Sequence, residues 1–144
     1  MILNLLKSRY SCRNFSNKPI SDEIIRYILE CGRLSSSGGN DQPWKFGVIT
    51  DAAIIEKISE ATSVNYDQTK IPGEHMVLAD LEHGIYSTWI SSMDCEMVGE
   101  IIGIEGYLVS NVIVFGYPEQ PEKITPKKEM EDIIFTNRFD NTGF

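Results

Sequence analysis

Arg9-Tyr10-Ser11-Cys12-Arg13, followed by Ser35-Ser36-Ser37-Gly38-Gly39-Asn40-Asp41-Gln42-Pro43-Trp44, is the stretch on which the reading of this chain turns. Two arginines four positions apart can converge on one anion. Each guanidinium offers a charged fork of donors that suits phosphate oxygens. Ser11 adds a hydroxyl between them. In a chain of net charge −8 this cluster is a local exception, and a bound phosphate ester is the first ligand it implies.

The rest of the composition limits what that ligand belongs to. With 144 residues and 42% hydrophobic content, the chain fits one domain with a small core. A nucleic-acid surface needs a broad positive stripe, whereas the 13 Lys and Arg here are dispersed in an acidic chain. Cys12, Cys31 and Cys95 are an odd number without CxxC spacing, and His75 and His83 lack a ligand-like pattern. The cysteines therefore read as small apolar groups, with no metal site and no disulfide framework expected. No apolar run approaches the ~18 residues of a membrane span. The opening Met1–Lys7 is too short for a signal peptide, so the expectation is a reduced, cytoplasmic protein with no membrane partner.

Working outward, Ile2 to Lys7 reads as a short helix delivering the arginine turn, and Asn17-Lys18-Pro19 breaks the chain after it. Ser21 is a candidate N-cap for a helix with Asp22 and Glu23 in its first turn, an apolar stripe of Ile24, Ile25, Ile28 and Leu29, and Gly32 as its stop. After the Ser-rich loop, Trp44 to Thr50 reads as a strand with Trp44, Phe46 and Val48 on one face. Asp51 caps a helix to about Thr62 with Ile54, Ile55, Ile58 and Ala61 inside, and Asn65 to Glu74, containing Pro72-Gly73, reads as a loop. Met76-Val77-Leu78 fits either a short strand or the start of a helix carrying Leu81 and Ile85; helix is favoured. Asp94 to Ile102 is a capped amphipathic helix stopped by Gly103, and Tyr107 to Phe115 is a β-branched strand halted by Gly116-Tyr117-Pro118. On the tail, the apolar triplet Ile133-Ile134-Phe135 asks for a surface to cover. Helices mixed with few strands give an α+β class with a central sheet.

Four ordered motifs resemble the FMN-dependent nitroreductase family. They are Arg9-Tyr10-Ser11-Cys12-Arg13 with Lys18-Pro19-Ile20; the Ser35–Asn40 loop with Gln42-Pro43-Trp44; Gly84-Ile85-Tyr86-Ser87-Thr88-Trp89-Ile90, read as a helix end; and Gly116-Tyr117-Pro118 followed by Lys127-Lys128. Each is weak alone, and their order is what carries the resemblance. It implies a small, mainly antiparallel central sheet flanked by helices, in a homodimer that clamps FMN at its interface. Residues 1–144 are then one domain, with the tail from about 119 to 144 packing on the partner subunit.

By the same resemblance, Arg9 and Ser11 hold the FMN phosphate with Lys127 or Lys128, and Arg13 faces the pyrimidine side of the ring. Ser36, Ser37 and Gly38 contact the flavin from the other subunit, and Asn65 sits near the ring edge. The implied activity is transfer of hydride or electrons from NAD(P)H through FMN to a nitroaromatic, quinone or similar flat acceptor. No side-chain acid or base stands out, which fits chemistry carried by a cofactor. Where the family carries a further strand and a longer helix approach, this chain has only Lys70 to His83. Met76 to Asp80 is the remnant of one or the other, and this shortening motivates an alternative, a flavin-binding carrier or sensor of the same fold.

Overall fold

The computed structural model describes residues 2–37, 40–43, 45–61, 71–90, 92–120 and 126–129. The elements run α1 (Ile2–Ser8), α2 (Asp22–Arg33), α3 (Ala52–Glu60), α4 (Ile71–Asp80), a 3-10 turn (Leu81–His83), β1 (Tyr86–Ile90), α5 (Cys95–Ile102) and β2 (Val112–Gly116). Among the described residues the sheet is the antiparallel pair β1 and β2, in register from Tyr86 opposite Gly116 to Ile90 opposite Val112.

Helix α2 forms as its sequence dictates. The Ser21 hydroxyl accepts from Ile24 N at 3.4 Å, the two acids follow in the first turn, and Ile28 is buried while Ile24, Ile25 and Leu29 are half-buried. Gly32 is not its stop, because the helix runs on to Arg33. It packs against α4, where a Cβ would meet the flexible end of the Met76 side chain, 2.1 Å from its Cε. The Tyr27 hydroxyl donates to Glu82 at 2.6 Å, tying α2 to the 3-10 turn, and this bond to a carboxylate pushes the phenol up to about 12.

Helix α4 settles the Met76–Leu78 ambiguity in favour of helix and corrects the loop expected at Pro72-Gly73. Proline is tolerated in a first turn, where its missing N–H has no helical partner to lose. Gly73 lets α4 lie on the hairpin, since a Cβ there would meet Trp89 Cη2 at 2.3 Å and Ile113 Cδ1 at 2.8 Å. The helix stops at the 3-10 turn, and Gly84 exits it in the left-handed region at φ 68°. Gly84 to Ile90 is therefore a turn leading into a strand and not a helix end, as Thr88, Trp89 and Ile90 suit a pleated surface.

Helices α3 and α5 form a second packing centre. Asp51 Oδ1 accepts from Ala53 N and Ile54 N, Asp94 Oδ1 accepts from Met97 N, and Gly103 ends α5 at φ 67°. Ile58, Ala61, Met93 and Val98 are buried together there, with Ile49 and Ile54 packed on them, while Ile55 faces solvent. Helix α3 ends at Glu60, with Ala61 as its C-cap.

Two expected strands are corrected. Residues 45–50 are not a strand, and Phe46 and Val48 are exposed. An extended segment without a ladder partner is not a strand, and none of the described strands pairs with it. The second expected strand is confined to Val112–Gly116, the stretch that β1 covers; Tyr107 and Leu108, beyond the end of that pairing, are exposed. Ile133 to Phe135 lie outside the described residues.

Candidate functional site

The arginine turn is built onto the hairpin by backbone bonds. Ser11 forms a parallel bridge with Ser87, and Cys12 N–H donates to Ser87 O at 3.0 Å. Further on, Phe15 bridges Pro118, Ser16 N donates to Tyr117 O at 2.8 Å, and Glu119 N donates to Asn14 O at 3.2 Å. Lys18 Nζ lies 3.9 Å from the Tyr117 ring centroid, a cation–π contact. Gly116 is glycine for this reason: a Cβ there would lie 2.5 Å from the Phe15 ring.

Burial alternates along the turn. Tyr10 and Cys12 point inward, Tyr10 stacking on Tyr86 with centroids 4.4 Å apart and Cys12 fully buried. Arg9 and Ser11 are half-buried and Arg13 is exposed. Arg9, Ser11 and Arg13 are thus the more accessible residues of the segment, alternating with buried Tyr10 and Cys12. The accessible residues of this segment carry two guanidinium groups and a hydroxyl. Arg13 Nη1 also donates to Ser11 O at 3.2 Å, bracing the turn from within.

Asp80, at the end of α4, is a buried acid that the sequence does not single out. It is fully buried, and neither carboxylate oxygen has a hydrogen-bond partner among the described residues. Desolvation pushes its carboxyl up to about 8. The Ser87 side chain, the Leu81 N–H and the Arg9 guanidinium each oppose that rise, and Glu74 adds to it. Ser87 and Leu81 lie close enough to act on the charge without being aligned to satisfy it. The available signal was an acid set among the apolar residues Val77, Leu78, Ala79 and Leu81.

The Ser-rich loop starts at α2 and is fastened to α4, where Ser35 Oγ and His75 Nδ1 share a hydrogen bond of 2.7 Å. Ser37 Oγ accepts from Gln42 N at 3.0 Å, and Ser37 O accepts from Asn40 N at 3.1 Å. Asn40 and Gln42 both adopt positive φ, 58° and 47°, a conformation that costs an L residue on the order of 1–2 kcal/mol. Ser36 is exposed and Ser37 half-buried; Lys127 and Lys128 are exposed. Gly38 and Asn65 lie outside the described residues. Elsewhere, a surface groove of about 530 Å³ is lined by Arg26, Leu29, Glu30, Arg33 and Phe46 and shares no residue with the arginine turn. Arg33 there is engaged by Glu30 through two bonds of 2.6 and 2.7 Å, which hold the Glu30 carboxyl below its usual range.

The turn, the Gly84–Ile90 segment and the Gly116-Tyr117-Pro118 step are thus joined into one assembly. The sequence model of the nitroreductase family matches residues 6–80, more than half of the chain. This chain belongs to the nitroreductase family. It is 35% identical over 102 residues, 69% of its length, to an Archaeoglobus fulgidus protein named as an NADH dehydrogenase/NAD(P)H nitroreductase. It is 23% identical, across 93% of its length, to an NADPH-dependent oxidoreductase of Staphylococcus aureus. This nitroreductase-family chain spans 58% and 61% of the lengths of those relatives. The solved structure of an FMN-dependent nitroreductase from Clostridium difficile shares the fold, with a TM-score of 0.84 at 19% identity, covering 95% of this chain and 99% of that one. Helices around a small antiparallel sheet are therefore this chain's nitroreductase architecture, and no described helix is long and apolar enough to cross a membrane.

Proposed function

We propose that this chain binds FMN and acts as an NAD(P)H-dependent oxidoreductase on a nitroaromatic, quinone or similar flat acceptor. One observation carries the reading: the burial alternation along residues 9–13 that leaves Arg9, Ser11 and Arg13 accessible on a segment fastened to β1 at Ser87. The donor set suits the phosphate end of the flavin. A phosphate monoester holds close to two negative charges near neutral pH, and charge-assisted bonds to Arg are roughly twice as strong as neutral ones.

In this reading Arg9 and Ser11 hold the phosphate. Lys127 or Lys128 adds a second cation from the tail, which leaves the hairpin at Glu119 beside Asn14. Eight residues of extended chain span at most roughly 28 Å, enough for a return to the turn. Arg13 lies on the pyrimidine side, where a cation favours negative charge developing near N1 and the C2 carbonyl. Ser36, Ser37 and Gly38 approach the ring across a homodimer interface, small residues leaving room for a flat plate, and Asn65 lies at the ring edge. The chemistry the flavin supplies when bound is hydride acceptance from a nicotinamide donor and electron delivery to the acceptor.

The homodimer is part of the proposal. Ile2, Leu3 and Leu6 of α1 are 64%, 58% and 48% exposed and Leu108 is 68% exposed, apolar surface that a second copy would cover. Residues 1–144 act as a single domain, with the tail from about 119 packing on that copy.

The test is the absorption spectrum of the purified protein with FMN and nicotinamide. A yellow protein whose melting temperature rises with FMN, and whose flavin bleaches with NADH or NADPH and recovers on adding a quinone, supports the whole reading. Binding without bleaching leaves the carrier alternative, and a colourless protein gaining no stability from excess FMN overturns both, since a specific ligand stabilises the native state by mass action.

A further inference from the structure

We propose that His75 is a positioning residue for the flavin ring: through its hydrogen bond to Ser35 it sets where Ser36 and Ser37 meet that ring. The inference rests on the flavin reading above and deepens it. Its geometric basis is a single tie. Ser35 Oγ and His75 Nδ1 lie 2.7 Å apart, and among the described residues this is the one hydrogen bond from the loop between Ser35 and Pro43 to an element other than α2. The other described bonds of that stretch close on α2 or on the loop itself. Ser35 N donates to Gly32 O, Ser37 accepts from Asn40 N and Gln42 N, and Gln42 Nε2 donates to Asn40 O at 3.2 Å.

The two ends of the tie differ. Ser35 is buried, at 6% exposure, whereas His75 is exposed on α4. A hydroxyl both donates and accepts, so the bond persists whichever imidazole nitrogen carries the proton, and it acts as a brace and not as a switch. Its footing is firm, because Met76, the neighbour of His75, packs on Gly32 of α2. Without the imidazole the Ser35 hydroxyl is left buried and unpaired, a cost that draws the residue toward water. Ser36 and Ser37 follow Ser35 directly and move with it. The bonds internal to the loop keep its shape while its seat is lost. The arginine turn, tied to Ser87, Tyr117 and Glu119, keeps its place. The loss is therefore felt at the ring and not at the phosphate.

The test is fluorescence titration of the full chain and of His75→Ala, His75→Asn and Ser35→Ala with FMN and, separately, with riboflavin, beside urea midpoints of each apo-protein. His75→Ala should weaken both flavins by the same factor, roughly 3- to 10-fold, the equivalent of one hydrogen bond. Ser35→Ala should also weaken both, but by no more, because it strands no hydroxyl, and the double variant should fall no further than His75→Ala. His75→Asn keeps a hydrogen-bonding atom near the place of Nδ1 and should recover most of the affinity. At saturating FMN the visible absorption band of His75→Ala should shift toward that of the free flavin, and that of His75→Asn should match wild type. A brace serving the fold alone would lower the urea midpoint and leave affinity and band unmoved. That result in folded His75→Ala, or a loss confined to FMN, overturns this inference alone. If His75→Ala does not fold, Ser35→Ala decides: equal weakening of both flavins upholds the inference, and wild-type affinity overturns it. Failure of the wild-type chain to bind either flavin overturns it together with the flavin reading.

Discussion

The turn from Arg9 to Ser16 and the loop from Ser35 to Thr50 are the two regions that make up the candidate site, and they are held in different ways. Backbone bonds to β1 and to the segment just after β2 fix the turn: Cys12 to Ser87, Ser16 to Tyr117 and Glu119 to Asn14. The loop's described bonds draw on side chains, Ser35 to His75 and Ser37 to Gln42, beside backbone bonds such as Asn40 N to Ser37 O, and Phe46 and Val48 are 37% and 49% exposed. The turn's described backbone bonds all lie within this chain. Among the described loop residues Phe46 and Val48 are exposed while Ile49 packs on the core, and the exposed pair is apolar surface that the proposed second copy would cover.

Asp80 lies under the better-fixed region, and the largest predicted effect concerns it. Its carboxyl rises from 3.8 to about 8 on folding, so between those values the native state holds a proton that the unfolded chain has lost. The contribution of this group to stability is therefore fully present below about pH 4, is lost as pH rises, and is gone above about pH 8. The whole decline amounts to roughly 3–6 kcal/mol. Asp80→Asn should flatten this part of the profile, as read by urea midpoints of the apo-protein at pH 5, 7 and 8.5. Parallel profiles for the two proteins would mean that the carboxyl is solvated, and that the turn stands on no buried charge.

Next in size is a steric test of how the turn and α4 seat on the hairpin. Gly116→Ala places a methyl 2.5 Å from the Phe15 ring, and Gly73→Ala places one 2.3 Å from Trp89. Neither neighbour is the loose end of a flexible chain, so each variant should lose about 1–3 kcal/mol by overpacking. Gly47→Ala, in the loop region, meets nothing within 4 Å and should be near neutral in thermal melts. A comparable loss at Gly47 would erase the contrast between the regions.

How far the sequence could show this follows the same division. Caps were legible because their signals are local: Ser21, Asp51, Asp94 and Gly103 act within one turn of their own position. The candidate residues Arg9, Ser11 and Arg13 were legible as a spacing, but their accessibility, alternating with buried Tyr10 and Cys12, accompanies pairing with Ser87, a partner far along the chain. Residues 45–50 and 107–111 misled because β-branched and aromatic content marks surfaces that suit a sheet, while strand formation also requires a neighbour. Pro72-Gly73 misled for the reverse reason. Both are turn formers in isolation, yet here one opens a helix and the other yields space to Trp89. Asp80 was invisible because burial of an acid is a property of packing; composition alone left it as one of 21 acidic residues.

On ligand binding, the turn should dominate the loop. Arg9→Ala removes a charge-assisted bond worth about 1.5–3 kcal/mol, so FMN affinity should fall roughly 10- to 100-fold with little change for riboflavin. Equal losses for the two flavins would place Arg9 away from the phosphate. Arg9→Lys keeps the charge but loses the fork, and should fall between wild type and alanine.

The smallest effect sharpens the comparison most, because it separates a fastening role from a ligand-contacting one. Ser37→Ala deletes the acceptor for Gln42 N, a single exposed bond of 3.0 Å, and should cost about 0.5–1 kcal/mol of stability. Gln42 keeps its unfavourable φ of 47° in this loop, so losing the bond that holds it should let the segment relax. If Ser37 only braces the loop, FMN and riboflavin affinities should weaken together and by less than Arg9→Ala weakens FMN. If Ser37 instead meets the ring across the interface, the loss should equal or exceed that of Arg9→Ala, be the same for both flavins, and grow as protein concentration is lowered through dimer dissociation. A loss that is large but independent of concentration would place the loop against the flavin of its own protomer, and the division between a self-contained turn and a partner-dependent loop would fall.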